Sequence, residues 1–320
     1  MIDVTAMGEL LIDFATKSTD GAGYPTLAGN PGGAPGNLLA ALNAYGCKTA
    51  FLGKVGEDVF GRLLLKTLET AGISTQGIVV DPEGFTTLAF VTLDAAGNRS
   101  FSFARKPGAD TRLRFEELDL SLIDGCRDFH FGTLSLTDEP VKTATEKAVA
   151  YAKERGKIIS FDPNLRKPLW RSPEDARQAM LWGLSQADIV KISDEEVLFL
   201  WHCDPQEALA ILHEQYGVKL AFVTLGPNGC LYSGNGYTGQ ARCPKVHPVD
   251  TTGAGDIFGG SVLARLLQLN KPLSAMDDAD LRQATRFACC AASLSTERFG
   301  GISSVVPLAD VLRCLADESV

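Results

Sequence analysis

The sequence predicts an α/β fold in which a mostly parallel sheet is covered by helices on both faces. Two observations predict it. Apolar runs of four to eight residues, typical of buried strands, alternate with longer stretches whose apolar residues recur at the helical period. The 320 residues are 45% hydrophobic and 22% charged, an ordinary globular balance. Because parallel strands need crossover connections, this strand–helix alternation favours a parallel sheet.

Seven apolar runs are interpreted as buried strands of this sheet. They are VTAMG (4–8), TAFLG (49–53), GIVV (77–80), DFHFG (128–132), KIISFD (157–162), DIVKI (188–192) and LAFVTLG (220–226). The stretches between them predict helices at 35–45, 58–71, 138–155, 173–186, 194–201 and 205–216. Ser172 is the expected N-cap of the helix at 173–186, because a proline opens the first turn and an acid follows three residues on.

Two segments depart from the alternation. Residues 14–31 are polar and rich in turn residues, and residues 86–104 alternate as a hairpin around Ala96-Gly97-Asn98. Neither pattern suits a parallel core, so we expect these segments to form a small β layer that projects from the main sheet as a lid. The main α/β domain then comprises residues 1–13, 32–85 and 105–320.

Charge and composition narrow the class of partner. The formal net charge is −9, which repels a phosphate backbone, so no nucleic-acid partner is expected. No apolar run reaches the roughly 18 residues that span a membrane, and the first residues lack the basic flank of a signal peptide. We therefore expect no membrane partner. The eight cysteines form no C-x-x-C pair, so we expect them to be buried thiols in a reducing cytoplasm.

The strongest chemical signal is DTTGAGD at 250–256, directly before an apolar run. Gly253, Ala254 and Gly255 carry little side-chain bulk, so their N–H groups can face an anion at the positive end of a helix. Asp256 would lie beside a bound phosphate, where its carboxylate can accept a proton from an attacking hydroxyl. This arrangement is that of a kinase. The alternative is a glycine turn with Asp256 as a helix cap.

A second glycine turn, GGAPGN at 32–37, also opens a helix. Asn37 in its first turn can hydrogen-bond a neutral polyol. Asp13 is expected at the end of the first strand, where sheets of this class bind ligands. The alternative is a strand–turn–helix corner with an incidental asparagine. A P-loop enzyme and a nicotinamide-dependent oxidoreductase are disfavoured, because G-x-x-x-x-G-K-[ST] is missing and GAGDIF lacks the third glycine of the dinucleotide fingerprint.

Together DTTGAGD, GGAPGN and GKVGEDVFG (53–61) resemble the ribokinase-like (PfkB) family of carbohydrate kinases over essentially the whole chain. The resemblance implies a ribokinase-like α/β domain with a β-sheet lid that closes over a sugar. It implies ATP as donor, Mg²⁺, and a monovalent cation such as K⁺ in many members. By position, it implies that Asp256 is the catalytic base and that Gly253, Ala254 and Gly255 form the anion hole. Asp13, Gly33 and Asn37 match sugar-binding positions.

Further positions follow from the same resemblance. VTLGPNGCLY (223–232) is similar to the family's nucleotide strand and places Thr224, Gly226 and Gly229 along ATP; the alternative is a ligand-free turn at 227–229. KISDEE (191–196) is similar to a family segment that orders metal and phosphate, which implies that Lys191 and Ser193 contact ATP and that Glu196 contacts Mg²⁺ indirectly. Ser193 and Glu196 also make a capping box. Cys289 stands where ribokinases often carry an asparagine near adenine. The implied cation site comprises Asp250, Thr252, Ser295, Arg298, Gly300 and Ser304.

The acceptor is suggested by four strings: GGAPGN, FARKPGAD (103–110), FHFGTLSL (129–136) and FDPNLRKPLW (161–170). All four are similar to fructokinases, and DPNLR is also similar to 2-keto-3-deoxygluconate kinases. Arg105 and Arg166 are expected to supply positive charge to the substrate site, although Arg105 could instead be a solvated residue beside a turn. Arg166 could hold the product phosphate or, in an acid-sugar kinase, a substrate carboxylate.

D-fructose, phosphorylated to fructose 6-phosphate, is therefore the expected acceptor. The alternatives are a kinase for keto-deoxygluconate, a ribonucleoside or another ketose, and a non-catalytic regulatory relative. The last is disfavoured because Asp256 and the glycines before it are intact. The expected partners are the sugar and ATP, with a homodimer through the lid as one assembly.

Overall fold

The computed structural model describes residues 1–93 and 99–317, whose strands form two separate sheets. The strands are β1 Val4–Met7, β2 Leu11–Thr19, β3 Pro25–Gly32, β4 Thr49–Gly56, β5 Ser74–Asp81, β6 Leu88–Leu93, β7 Arg99–Ala104, β8 Asp128–Gly132, β9 Ile158–Asp162, β10 Ile189–Ser193, β11 Leu220–Thr224, β12 Cys230–Gly234 and β13 Tyr237–Ala241. The helices are α1 Ala34–Ala44, α2 Val59–Thr70, α3 Ser121–Asp124, α4 Val141–Glu154, α5 Pro173–Gln186, α6 Asp194–Trp201, α7 Pro205–Tyr216, α8 Ala254–Gln268, α9 Asp278–Ser295 and α10 Leu308–Asp317.

The larger sheet has the order β13-β12-β11-β10-β9-β8-β1-β4-β5. Neighbouring strands from β11 to β5 are parallel, and β12 and β13 extend the sheet antiparallel. The parallel strands coincide with the seven predicted runs, and the α/β class is confirmed. The carboxyl ends of these strands lie at one edge, where sheets of this class bind ligands.

The elements β12, β13, α9 and α10 were not predicted from the sequence. β13 is a short edge strand whose residues Tyr237, Thr238 and Gln240 are exposed, so it lacks the continuous apolar signature of a buried strand. α9 begins at an Asp277 capping box, in which Asp277 accepts from Asp280 N and Asp280 accepts from Asp277 N. The cap explains in local terms why the helix starts there.

Helices cover both faces of the larger sheet, as predicted. On one face, buried side chains of α1, α8 and α9 pack with Phe222 of the sheet, including Leu38, Ile257 and Phe287. On the other face, α4 to α7 pack over Phe129, Phe131 and Phe161. The ring centroids of Phe131 and Phe161 are 4.8 Å apart. Burial of these large side chains is the main stabilising contribution to the domain.

The smaller sheet has the order β3-β2-β6-β7 and contains most of the two segments predicted as a lid. The β2/β3 and β6/β7 pairs are antiparallel, and β2 pairs with β6 in parallel. The predicted turn at Ala96-Gly97-Asn98 lies outside the described residues.

The placement of Asp13 at the end of the first main-sheet strand is wrong. β1 ends at Met7, and Gly8 N donates to Leu52 O (3.2 Å) beside the end of that strand. The apolar run that follows continues as β2, so Asp13 is the third residue of a small-sheet strand and pairs with Asn30 of β3. The run looked like one strand because both parts are apolar and buried.

No helix in the described part of the chain is both long and apolar enough to cross a lipid bilayer.

Candidate active site

A cavity of about 900 Å³ lies where the carboxyl ends of β9 and β10 meet the small sheet and the first turns of α1 and α8. It gathers residues that the motifs singled out from distant parts of the chain. Those lining it are Asp13, Gly33, Asn37, Arg166, Lys191, Ser193, Glu196, Thr252, Gly253, Gly255 and Asp256. The two glycine motifs therefore face one space.

The amino terminus of α8 forms one wall of this cavity. Gly253 is the N-cap residue, with φ 76°, a left-handed conformation that glycine adopts without steric cost. A Cβ at Gly253 would lie 2.9 Å from Gly301 Cα, so a larger residue would also collide with the neighbouring loop. The first-turn N–H groups of a helix have no partners within it and carry partial positive charge. With Ala254 and Gly255 in that turn, the wall is suited to hold an anion.

Asp256 lies in the same first turn and is buried. Asn37 Nδ2 donates to its Oδ2 at 2.8 Å. Burial is the main reason that the pKa of Asp256 is raised to about 6; Asp162 also acts to raise it, while Asn37, Arg166 and Lys191 act to lower it. The group is thus ionised at neutral pH and is a stronger base than an exposed aspartate, as a general base requires.

Lys191 brings a fixed positive charge beneath the first turn of α8. Its Nζ lies 3.1 Å from Asp162 Oδ2, and a Cβ at Gly255 would lie 3.0 Å from this Nζ. Burial acts to lower the pKa of Lys191, but Asp162, Glu196 and Asp256 together raise it above the ordinary value. The ammonium group therefore stays charged next to the anion-binding turn.

Arg166 lies close enough to two carboxyl groups of the cavity for its positive charge to lower the pKa of both Asp13 and Asp256. For Asp13, burial dominates and raises the pKa to about 6, while Arg166 lowers it and Asp250 raises it. The guanidinium is half-buried, and its Nη1 donates to Leu165 O at 3.4 Å. A cation here partly balances the carboxyl groups of the cavity wall.

Ser193 and Glu196 fulfil the capping role that the sequence offered as an alternative, and they also line the cavity. Ser193 Oγ accepts from Glu196 N (3.2 Å), while Glu196 Oε2 accepts from Ser193 N (2.8 Å). Glu196 Oε1 accepts from Leu165 N at 2.7 Å, which ties the loop after β9 to α6. Thr224 ends β11 and pairs in register with Ser193, so it borders this site without lining the cavity.

The described residues contain no group of three or more histidine, cysteine, aspartate or glutamate side chains that could hold a metal ion. A Mg²⁺ ion bound here would take most of its ligands from phosphates and water, which is its usual mode in phosphoryl transfer. Both oxygens of Glu196 already accept backbone N–H bonds. This geometry fits an indirect contact with the ion through water.

The residues predicted for a monovalent cation are brought together in part. Asp250 Oδ1 accepts from Thr252 N (3.0 Å) and Thr252 Oγ1 (2.7 Å), and Asp250 Oδ2 accepts from Gly300 N (3.0 Å). The Arg298 side chain extends to Asp310 (3.8 Å), so this residue could offer only its backbone oxygen. The predicted Ser295 and Ser304 lie at the end of α9 and in the loop after it. An oxygen-rich cluster of this kind fits a monovalent cation.

Arg105, which is predicted to supply positive charge to the substrate site, does not line the cavity. Its Nε donates to Asp110 (2.8 Å), its Nη1 to Thr137 (2.7 Å) and its Nη2 to Leu134 O (2.8 Å). Only 4% of the residue is exposed. The side chain is thus committed to a buried network behind Leu134, and it is Leu134 that forms the wall.

Besides Thr224, three more residues assigned to ATP lie outside the cavity: Gly226, Gly229 and Cys289. Gly226 begins a turn of 3₁₀ helix at 226–228, Gly229 follows it as the C-cap residue, and Gly229 abuts β13 at Ala241. Cys289 is buried, with its Sγ 3.9 Å from Ala241 O. These positions have structural roles that do not need a ligand.

Sequence reasoning missed several residues of the cavity wall, among them Glu9, Phe103 and Asn164. Glu9 is buried, and its Oε1 accepts from Ala34 N at 2.8 Å, at the start of α1. Burial raises the pKa of Glu9 to about 7, while Ala34 and Arg105 lower it. The signal was an acid inside the apolar run MGELLI, which could have marked a buried carboxyl group.

Comparison with known proteins finds carbohydrate kinases similar to this chain. The model of the pfkB family carbohydrate kinases matches residues 1–308. The chain is 40% identical over 320 residues to a probable fructokinase-3 of Arabidopsis thaliana, covering 98% of this chain and 92% of that one. It is 41% identical over 315 residues to fructokinase-1 of Zea mays, covering 98% and 97%.

Solved structures are similar over nearly the whole length. The fructokinase of Xylella fastidiosa with bound ATP has a TM-score of 0.91 at 31% identity, covering 99% of each chain. A putative ribokinase II of E. coli in complex with ATP and Mg²⁺ has a TM-score of 0.87 at 30% identity, covering 99% of this chain and 100% of that one. A double-mutant fructokinase of Vibrio cholerae O395, bound to fructose, ADP and potassium ion, has a TM-score of 0.87 at 32% identity and covers 98% of each chain.

Proposed function

The chain belongs to the pfkB family of carbohydrate kinases, and from that premise we propose that it transfers the γ-phosphoryl group of ATP to D-fructose, giving fructose 6-phosphate and ADP. The observation that carries the proposal is the geometry of Asp256. This carboxylate is buried, has a pKa of about 6, and lies in the first turn of a glycine-opened helix inside a cavity shared by both sheets. The fructokinases among its relatives support fructose as the acceptor.

In the proposed reaction, Asp256 accepts the proton of the sugar hydroxyl as the hydroxyl oxygen attacks the γ-phosphorus. The bond from that phosphorus to the β–γ bridging oxygen breaks, and ADP leaves. The N–H groups of Gly253, Ala254 and Gly255 stabilise the charge on the transferring group. Lys191 adds a fixed positive charge from beneath the same turn. Catalysis then consists of positioning and electrostatic stabilisation, as is usual for phosphoryl transfer.

Bound Mg²⁺ supplies charge neutralisation at the phosphates. Glu196 would contact it through water, and Ser193, Thr224, Gly226 and Gly229 would lie along the nucleotide toward Cys289. A monovalent cation such as K⁺ would be held by the Asp250 cluster together with Ser295, Arg298 and Ser304. The relatives solved with ATP, Mg²⁺ and potassium ion support these assignments.

The charge of the cavity favours a neutral sugar over an acid sugar. Among the described residues, its wall carries five carboxyl groups and three cationic groups: Glu9, Asp13, Glu195, Glu196 and Asp256, against Arg166, Lys167 and Lys191. Arg166 already acts on Asp13 and Asp256, which reduces what it can offer to a substrate carboxylate. A net acidic wall would repel keto-deoxygluconate, whereas fructose can donate hydroxyl hydrogens to Asp13 and the other acceptors.

An ADP-release assay over fructose, keto-deoxygluconate, ribose, tagatose and adenosine tests the acceptor. We expect the highest kcat/KM for fructose. A higher value for keto-deoxygluconate would overturn the choice of sugar and leave the kinase assignment intact. If no ADP were released with any of these acceptors, the kinase assignment itself would be contradicted.

Residues 14–31 and 86–104 are proposed to close over the sugar as a lid. The support is that Asp13 and Phe103, which lie on the small sheet, line the same cavity as Asp256. Closure would exclude water, which otherwise accepts the phosphoryl group.

A homodimer through the small sheet is a further proposal. Its support is the exposure of Tyr24 (71%) beside β3 and Leu27 (38%) on it. Sedimentation of the wild-type chain against Leu27→Glu tests the dimer, which the charge should dissociate. A cytoplasmic location is supported by the described cysteines, all of which are free thiols.

A further inference from the structure

We propose that Asn37 is a positioning residue for Asp256, and that Gly301, which lies outside the cavity, holds Asn37 in place. The inference rests on the proposed role of Asp256 as the base. It adds a residue of the loop after α9 to the machinery of phosphoryl transfer. Gly301 is absent from the cavity wall, whereas Asn37 and Asp256 belong to it.

The first step is the contact between the two buried side chains. Asn37 is 3% exposed and Asp256 is 6% exposed, and the bond from Nδ2 to Oδ2 measures 2.8 Å. The two residues are 219 positions apart and belong to the first turns of α1 and α8. A hydrogen bond to a buried carboxylate is among the strong ones, and it fixes the direction in which the carboxylate faces.

The second step is how Asn37 is held. Its amide lies between two glycines that have no room for a side chain. A Cβ at Gly301 would overlap Asn37 Oδ1 and lie 2.5 Å from Cγ and 2.6 Å from Nδ2. A Cβ at Gly253 would lie 3.1 Å from Nδ2. Because neither distance is compatible with ordinary packing, a methyl group at Gly301 must push the amide out of its position.

The third step is that packing restrains the amide on its oxygen side. Asn37 Oδ1 is buried and has no hydrogen-bond partner among the described residues. The amide is therefore held by its bond to Asp256 and by the two glycines. A side chain at Gly301 that displaces the Asn37 amide therefore also displaces the Asp256 carboxylate, since the amide oxygen makes no hydrogen bond to the described residues that would hold the amide in place.

The electrostatic consequence has a definite sign. Asn37 favours the ionised form of Asp256, as do Arg166 and Lys191, while burial and Asp162 oppose it. Displacing Asn37 leaves the other groups in place, so the pKa of Asp256 must rise. Because the base acts in its ionised form, the acid limb of the pH–kcat profile moves to higher pH.

The test compares Gly301→Ala with Ser303→Ala, a change in the same loop that removes an exposed hydroxyl bonded to Phe299 O. The backbone of Gly301, at φ −94°, admits alanine, so the substitution acts through the side chain. Two readouts are measured: the pH–kcat profile with fructose and ATP, and the titration of the Asp256 carboxyl carbon by ¹³C NMR, assigned with Asp256→Asn. Thermal unfolding checks that each variant is folded, and Asn37→Ala gives the effect of removing the amide.

We expect Gly301→Ala and Asn37→Ala to raise the Asp256 pKa by about one unit, the worth of a charge-assisted hydrogen bond. We expect kcat to fall about tenfold or more from misplacement of the base. Ser303→Ala should match the wild type. A folded Gly301→Ala with an unchanged Asp256 titration overturns the proposal, even if its kcat is low. If the wild type releases no ADP with any sugar, the proposed function fails, and the NMR titration still decides the positioning role.

Discussion

Asp128 carries a buried carboxyl group whose ionisation should destabilise the fold. The residue is fully buried in β8, and its Oδ1 accepts from Ser160 Oγ at 2.6 Å. Its Oδ2 has no hydrogen-bond partner among the described residues. Burial is the main reason that the pKa of Asp128 rises from 3.8 to about 7. The perturbation is Asp128→Asn, which keeps the shape and removes the titration.

The sign and size follow from proton linkage. Between about pH 3.8 and pH 7 the unfolded chain releases the Asp128 proton while the folded chain keeps it, so the free energy of unfolding falls as pH rises. A shift of about three units at 1.36 kcal/mol each gives a loss of up to about 4 kcal/mol by pH 7. The asparagine variant lacks this loss. Its stability relative to the wild type should therefore increase from pH 4 to pH 8.

The assay is urea unfolding of both proteins, followed by tryptophan fluorescence, at several values between pH 4 and pH 8. The difference between them cancels the titration of every other group. We expect the variant to gain at least 2 kcal/mol, half the computed maximum, over this range. A difference that is the same at pH 4 and pH 8 would refute the argument, because it would mean that Asp128 ionises normally in the folded chain.

Three further outcomes are expected. Arg105→Ala should lower the free energy of unfolding by about 3–5 kcal/mol, because it leaves the buried Asp110 carboxylate without its cationic partner. The KM for fructose should stay unchanged. A raised KM at full stability would instead indicate that Arg105 contacts the substrate. Wild-type kcat should fall below about pH 6 as Asp256 becomes protonated, and a flat profile down to pH 5 would contradict the assigned base. Hydrogen exchange in residues 14–31 and 86–93 should slow when fructose and nucleotide saturate the protein, and unchanged exchange in both would argue against a lid.

The main sheet could be predicted because its central strands are buried on both faces and read as unbroken apolar runs. α5, α6 and α7 begin at residues with visible capping signals, and their bounds agree with the prediction. β13 could not be found in this way, because an exposed edge strand carries no apolar signature. The run that contains Asp13 was wrongly predicted as one strand because β1 and the start of β2 are both apolar and buried, and only three residues (8–10) separate them.

The site was predictable to the extent that local motifs carry its chemistry. DTTGAGD and GGAPGN each specify a helix start, and the fold brings Gly253 and Asn37 together. The buried network of Arg105 could not be predicted, because its partners, Asp110 and Thr137, are defined by the tertiary fold and not by any motif. Gly301 carries no motif of its own, and its contact with Asn37 joins segments more than 260 residues apart.

The central claim is that Asp256 is the base of a fructokinase. The most direct measurement compares ADP release by the wild type and by Asp256→Asn with saturating fructose and ATP–Mg²⁺, together with fructose affinity by calorimetry. We expect kcat to fall by about 10²–10⁴, the usual worth of general-base catalysis, while the Kd for fructose stays nearly unchanged. A folded variant that keeps more than about a tenth of wild-type turnover would contradict the claim.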